Sequence, residues 1–324
     1  MVDVTAVVVT HNSAEELAAC LEAVLQWTPH VVVVDNASQD TSCSVAESYS
    51  VELIRNTANL GFAAAVNQGF DRAATGFVLL LNPDATVLAG RDELLAAAEG
   101  GASAGLLVSE DGTPQTGFSV RRLPTAKALV FECLGLNRLW PGNATNRQWR
   151  CLDLDLTKTQ NVQQPAGAFL MVRRDVWRSL GGFSEHFYPV WFEDVDFCAR
   201  LLAAGYEVCF TPAAKASHRG GHSVGQLAWL NKQLYWYQNL ARYAGRHFSR
   251  PAALAVTVAA MLGGCLRACV NLVTIASVAV TGMGNGSAVE HGDANPDVDG
   301  PHKSVNFAAK RHSKDTGKRH LHVP

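Results

Sequence analysis

The sequence lacks the glycine-rich signatures with which many α/β chains hold phosphate. No GxGxxG follows its first apolar run, where the loop reads THNSAE, and no GxxxxGK[ST] occurs. A dinucleotide-binding dehydrogenase and a P-loop NTPase are disfavoured, because both need backbone N–H groups presented by glycines at the phosphates. An α/β-hydrolase is not expected either. There is no CxxC among the eight cysteines, so neither a zinc ribbon nor a thioredoxin-type site is supported. Those cysteines sit mostly in apolar stretches and read as small, reduced core residues. Charge is scarce: 17% of residues, with 27 basic against 29 acidic and a net charge of −2. Near-neutrality leaves no global electrostatic case for nucleic acid. No basic and apolar leader pattern precedes the first strand pattern, so no secretory signal is expected.

Apolar residues are plentiful, at 48% of 324 residues. Their arrangement predicts an α/β chain. Residues 3–10 (DVTAVVVT), 30–36 (HVVVVDN), 51–56 (VELIRN) and 77–84 (FVLLLNPD) are short, β-branched or leucine-rich runs. Such runs suit strands buried on both faces of a parallel sheet. Between them lie helical patterns, the first opened by a capping box of Ser13 and Glu16, another running from about Phe62 to Ala74. The alternation predicts a doubly wound, Rossmann-like, mainly parallel sheet. Ligands then bind beyond the carboxyl ends of the strands, where this sequence places Thr10-His11-Asn12, Asp35-Asn36 and Asn82-Pro83-Asp84. A further helix and strand are read in 86–110. Residues 113–164 read as irregular cover over the site. A strand follows at 167–173, a helix at 193–206 with acids in its first turn, and a last strand in EVCFTP.

Four groups carry candidate chemistry. Asp35 suits a nucleobase N–H or a ribose hydroxyl, and equally a turn or helix cap. Asp84 suits a divalent ion bridging a diphosphate, against an ordinary Asn-Pro turn. Glu193, Asp194 and Asp196 form the densest acidic cluster. Acids at a helix start complement the dipole, but Tyr188, Trp191 and Phe192 just before them form an apolar collar. Such a collar raises a carboxyl pKa, which suits a general base acting on a hydroxyl. His218 offers a nitrogen ligand to the same metal, with His222 as an alternative, against plain surface polarity.

Seven stretches, in order over residues 4–220, resemble family 2 glycosyltransferases with the GT-A fold. They are VVVTHNS (7–13), VVDNASQD (33–40), RNTANLGFAAAVNQG (55–69), LLLNPDA (79–85), PAGAFLMVRRDVW (165–177), GGFSEHF (181–187) and FEDVDFCARLLAAGYEV (192–208). The third, fourth and seventh together resemble a narrower bacterial branch, the rhamnosyltransferases, which take dTDP-L-rhamnose and act on polyprenyl-diphosphate sugars in cell-wall or surface-polysaccharide synthesis. The resemblance implies that Thr10, Asn12, Asp35, Asn59, Asn67 and Asn82 line the nucleotide sugar. It implies that Gly167 and Ala168 flank the transferred sugar, that Asp84 and His218 hold Mg²⁺ or Mn²⁺, and that Asp194 is the catalytic base with Glu193 shaping it. The usual D-x-D is Asn82-Pro83-Asp84 here, so the first acid is missing. The implied reaction is one inverting displacement on a glycan hydroxyl. A UDP- or GDP-sugar donor is the alternative within the family. A non-catalytic sugar-nucleotide-binding protein is the alternative outside it.

The organisation read from the sequence is a catalytic domain at 1–222, a helical extension at 223–284 and a disordered tail at 285–324. In the extension, aromatics interleave with Arg242, Arg246 and Arg250, spaced i, i+4 and i+8, and then 252–283 is almost wholly apolar. That run is long enough for a bilayer, but Arg267 near its middle costs roughly 2.5–3.5 kcal/mol on insertion scales. Contact with an anionic membrane surface and packing as a core helix are the two readings. With a lipid-linked acceptor, the first places the protein in the cytoplasm, at the inner face of the cell membrane.

Overall fold

The computed structural model describes residues 3–220 and 228–282, with side chains as far as residue 269. His222 and the tail from 285 lie outside the described residues. A parallel block forms first: β1 (Val4–Thr10), β2 (His30–Asp35), β3 (Glu52–Arg55) and β4 (Phe77–Leu81), in the order β3-β2-β1-β4. Helices α1 (Ala14–Leu25), α2 (Ser42–Glu47) and α3 (Phe62–Arg72) make the crossovers. Alternate residues of β1 serve opposite cores. Val7 and Val9 join Val66, Phe70, Leu80 and Trp177 on one face. Val4, Ala6 and Val8 join Leu17, Leu21, Val33 and Leu81 on the other. This is why the strand reads as an unbroken apolar run.

The sheet continues with β5 (Ala85–Ala89), α4 (Arg91–Ala97), β6 (Gly101–Val108), β10 (Phe169–Arg173) and β11 (Glu207–His218). Strand β10 enters antiparallel between β4 and β6; β11 runs parallel to β6 and antiparallel to β5. The last strand therefore extends past EVCFTP to His218 and delivers that residue to the rim. Residues 113–164 are more ordered than the sequence suggests. They hold β7 (Val120–Arg121), α5 (Ala126–Cys133), α6 (Leu136–Leu139), α7 (Ala144–Trp149) and β8 (Gln160–Asn161). Strand β7 pairs with β9 (Gln164–Pro165) in a two-stranded ribbon. These elements are too short for hydrophobic periodicity to reveal.

The capping box does not form. Ser13 is the N-cap residue but makes no side-chain cap bond; its hydroxyl donates to His11 O at 3.2 Å. The sequence also contains two GxSxG stretches, at 101–105 and 221–225. The first lies inside β6, where Ser103 is buried and donates to Leu94 O, so it is no nucleophile elbow; the second lies outside the described residues.

Helices α8 (Arg174–Leu180) and α9 (Glu193–Ala203) follow β10, and α10 (Trp229–His247) and α11 (Arg250–Gly282) close the described chain. A third core joins α5, α10 and α11 to Phe187 and Phe192, the second of which immediately precedes Glu193. The apolar extension thus packs on the protein along one face. Gly263 makes this close: a Cβ there would overlap the Cys133 carbonyl. Arg267 is satisfied from within. It donates to Glu132 O and Gln233 Oε1 at 3.3 Å each and lies over the Trp236 and Tyr237 rings. Arg242 and Arg246 are likewise partly engaged, on Asn239 and on Asp196 and Ser184, so the basic stripe is not a bare surface. The opposite face of α11 is exposed and apolar: Leu254, Val258, Met261, Leu262 and Leu266. The cysteines are free thiols, four of them buried, but Cys265 and Cys269 are exposed on α11.

Candidate active site

Three clusters meet at the carboxyl rim of the parallel block. The first is the strand-end pair of β1 and β2. Thr10 and Asp35 are register partners, and Asn36 N donates to Thr10 O at 2.8 Å. Asp35 Oδ1 accepts from Ser38 N at 3.0 Å, the turn role. Its Oδ2 and Thr10 Oγ1 are buried with no hydrogen-bond partner among the described residues. Buried orphans of this kind are costly unless a ligand satisfies them. One Asp35 oxygen thus serves the turn, and the other is left without a partner among the described residues.

The second cluster is Asp84 with His218. Gln115 Nε2 donates to His218 O at 2.6 Å, which fixes the amide and turns Gln115 Oε1 to His218 Nδ1 at 3.1 Å. With an amide oxygen facing it, Nδ1 is on the donor side, and Nε2 is the ring nitrogen turned to Asp84. That Nε2 is buried, lacks a hydrogen-bond partner and lies 3.4 Å from Asp84 Oδ1. The other Asp84 oxygen accepts from Gly220 N at 3.1 Å. Burial alone would raise the Asp84 carboxyl, but the His218 ring and the Gly220 N–H outweigh it and hold it below the ordinary value. Phe118 stacks flat on His218, with centroids 5.2 Å apart. A ring nitrogen facing a carboxylate oxygen fits a cation between them, a proton or a metal ion. Among the described residues no third His, Cys, Asp or Glu completes a protein-only cage. A divalent ion here would need substrate oxygens and water, the habit of hard cations at diphosphates.

The third cluster surrounds Asp194. Its Oδ2 accepts from Gly167 N and Gln164 Nε2, each at 3.3 Å, and its Oδ1 from Val195 N at 2.8 Å. Burial raises the Asp194 carboxyl, against those backbone donors and the Arg121 charge. Burial raises Glu193 further, and the neighbouring Asp194 charge adds to it. Glu193 Oε2 has no partner among the described residues. Neither acid forms a salt bridge there, which leaves a base of raised affinity for a proton.

The clusters are joined. Asn82 N, just past β4, donates to Ala168 O at 3.0 Å, so the loop bearing Asp84 and the turn before β10 are one construction. Residues 115–121 span from one cluster to another. Gln115 and Phe118 hold His218, Ser119 O accepts from Ala166 N, and Arg121 faces Gln164 across the β7/β9 ribbon.

Several polar residues of the motifs serve the frame. Asn12 Oδ1 accepts from Gln39 N, tying the first two strand-end loops together. Asn36 accepts from Leu60 N and donates to Asn59 Oδ1 and Gly61 O. Asn67 donates to Phe183 O and Glu185 and accepts from Phe183 N, so its amide clamps the 181–187 turn.

The turn before Glu193 is held from two sides. Phe62 N donates to Pro189 O at 2.7 Å, and a Cβ on Gly61 would lie 2.8 Å from Tyr188 Cδ2. From α10, the buried Asn239 donates to Tyr188 O and Val190 O at 3.2 and 2.8 Å. Trp191 and Phe192 then adopt left-handed φ of 80° and 72°. Such conformations cost about 1–3 kcal/mol each and persist only where the surroundings impose them. Gln115, Arg121, Gln164 and Asn239 carry no sequence signal that singles them out. Only Gln164 lies beside a recognisable stretch, PAGAF.

The glycosyl transferase family 2 pattern matches residues 5–180, and that of glycosyl transferase family group 2 matches 145–285. The chain is 30% identical over 248 residues to the Mycobacterium tuberculosis N-acetylglucosaminyl-diphospho-decaprenol L-rhamnosyltransferase, covering 70% of this chain and 79% of the relative. It is 23% identical to the rhamnosyltransferase WbbL of Escherichia coli K12, covering 74% and 92%. The fold resembles that of GalNAc-T7, solved with UDP, GalNAc and Mn²⁺, with a TM-score of 0.52 and 15% identity over 77% of this chain and 52% of the other. With the strand order, the rim clusters and these matches together, the chain belongs to glycosyltransferase family 2.

Proposed function

We propose that the protein is an inverting glycosyltransferase that moves L-rhamnose from dTDP-L-rhamnose to a hydroxyl of a polyprenyl-diphosphate-linked glycan. The observation that carries this reading is the Asp194 carboxylate. It is fixed by Gly167 N–H and Gln164, lacks a salt-bridge partner among the described residues and stands at the same rim as Asp84 and His218. The names of the rhamnosyltransferase relatives support the donor and acceptor classes.

Asp194 takes the proton of the acceptor hydroxyl as that oxygen forms its bond to the anomeric carbon. The bond from that carbon to the diphosphate oxygen breaks, dTDP leaves with the electron pair, and the configuration inverts. Asp35 Oδ2 and Thr10 Oγ1 take polar atoms of the nucleoside. Asp84 and His218 would hold Mg²⁺ or Mn²⁺, which when bound supplies charge stabilisation at the departing diphosphate. Gly167 places no side chain over Asp194, leaving room for the sugar. No enzyme nucleophile is involved. The exposed face of α11 sets the protein against the inner face of the cell membrane, where a lipid-linked acceptor resides.

The test is nucleotide diphosphate release from a panel of sugar nucleotides, with Mg²⁺ or Mn²⁺ and a short-chain N-acetylglucosaminyl-diphospho-lipid acceptor. Selective turnover of dTDP-L-rhamnose is expected. Turnover of a UDP- or GDP-sugar instead would discard the donor assignment and keep the chemistry.

A further inference from the structure

Arg121 is a partly buried cation of the site whose charge the described chain leaves unpaired. Its Nε donates to Gly117 O at 2.7 Å, while its two terminal nitrogens make no hydrogen bond among the described residues. No carboxylate there lies within ion-pair distance of it. Its guanidinium lies 5.8 Å from the Phe118 and Trp149 ring centroids, so the side chain is held in place by aromatic walls. Its nearest charged neighbour of like sign is Arg150, stacked on the same Trp149 at 5.2 Å. Glu132 pairs directly with Arg150, at 3.3 Å, and the Glu132 and Asp194 charges act on Arg121 only from beyond ion-pair distance. Burial first and Arg150 second push the Arg121 pKa down to about 10. The one direct carboxylate contact goes to Arg150, so the terminal nitrogens of Arg121 form a place that an anion completes.

Position selects which anion. Segment 115–121 has its Gln115 end at the Asp84–His218 pair, where the donor diphosphate belongs. Arg121 is at the other end, opposite Gln164, which donates to Asp194. Beyond Arg121 the chain of contacts runs through Arg150 to Glu132 on α5, and from Glu132 O to Arg267 on α11. It ends at the helix whose outer face is Leu254, Val258, Met261, Leu262 and Leu266. Base, cation and apolar face follow one another as hydroxyl, diphosphate and hydrocarbon do in a lipid-linked sugar.

We infer that Arg121 binds the diphosphate of the acceptor, presenting the neighbouring sugar hydroxyl to Asp194. This rests on the acceptor class proposed above. The probe is farnesyl diphosphate, titrated calorimetrically into the full chain in EDTA, so that metal-dependent nucleotide binding is silent. Arg121→Gln is expected to weaken binding by about tenfold or more, the scale of a charge-assisted pair. Arg121→Lys, which keeps the charge, should lose less. Affinity for dTDP with Mg²⁺ should change less than about twofold, which a general loss of structure would not allow. Equal farnesyl diphosphate affinity in wild type and Arg121→Gln, or no binding by wild type, would overturn the inference. An equal loss of dTDP affinity would also overturn it, by moving Arg121 to the donor. If Arg121→Gln does not fold, Arg121→Lys with competition by inorganic diphosphate carries the same test. Arg121-dependent binding without sugar transfer to any polyprenyl-diphosphate acceptor would leave this site standing and remove the acceptor reading.

Discussion

Glu193 and Asp194 open the same helical turn as Asp196, yet their carboxyls shift in opposite directions. Asp196 is fully buried, and two cations and an imidazole surround it: Arg200 at 2.8 Å, Arg246 at 3.3 Å and the His247 ring at 2.8 Å. Burial would raise its carboxyl, but His247 and the arginines outweigh burial and hold it low. Glu193 is almost as buried and has no such partner, and burial raises both it and Asp194. A partner, rather than depth, decides whether a buried acid is structural or reactive. Asp196 ties α9 to α10 and is part of the frame. Asp194 is held by N–H donors alone and stays available to a proton.

That contrast breaks most sharply in activity. Asp194→Asn should cut transfer by about 10²–10⁴-fold, the usual reach of a general base, while dTDP affinity and thermal stability stay near wild type. Asp196→Ala should do the reverse. It leaves Arg200 without its buried counter-ion and should cost about 3 kcal/mol of stability, read as a lower denaturant midpoint. The sign with pH follows from linkage. A carboxyl lowered in the folded state stabilises above its unfolded value, 3.8 here, and that contribution is lost as pH falls through the folded value. Asp196→Ala should therefore flatten the acid limb of stability.

Smaller effects sharpen the comparison. Asn239→Leu removes the donor that holds Tyr188 O and Val190 O, so the left-handed turn before Glu193 relaxes. We expect kcat to fall by about tenfold to a hundredfold, the scale of a displaced catalytic group, with the donor KM little changed. Asn239→Asp should not restore it, because the amide's N–H donors are what the two carbonyls require. Glu193→Gln should be a small change in stability, and a stabilising one. Between 4.5 and its raised folded value the native state binds more protons than the unfolded chain, so Glu193 destabilises increasingly as pH rises. Replacing it should raise Tm at neutral pH by about 2–4 °C per kcal/mol relieved and slow transfer.

The strands of the parallel block were legible because both faces are buried, which leaves an apolar run such as VVVV with nothing to interrupt it. The rim was legible for the same reason, since Thr10, Asp35 and Asn82, two positions before Asp84, are the first polar residues at the ends of those runs. Asp194 and His218 could be named, but the groups that make them work could not. Gln115 reaches His218 across 103 positions, and Gln164 reaches Asp194 across 30. Both come from short strands and turns without periodicity. Asn67 shows the opposite limit. The family resemblance implies the nucleotide sugar as its partner, while in the structure its amide bonds to Phe183 and Glu185. Composition gave the apolar length of α11 but not its two faces, because small residues such as Ala259, Ala260 and Gly263 pack inward while leucines face out.

The most direct measurement is the pH dependence of kcat/KM for rhamnosyl transfer, in wild type and in Arg121→Gln. A base raised by burial must lose its proton before it can act. The acid limb should therefore inflect above 3.8, the ordinary aspartate value, and move higher still in Arg121→Gln, where a nearby positive charge is gone. An acid limb at the ordinary carboxylate value, unmoved by Arg121→Gln, would contradict the account of Asp194 as an unpaired buried base.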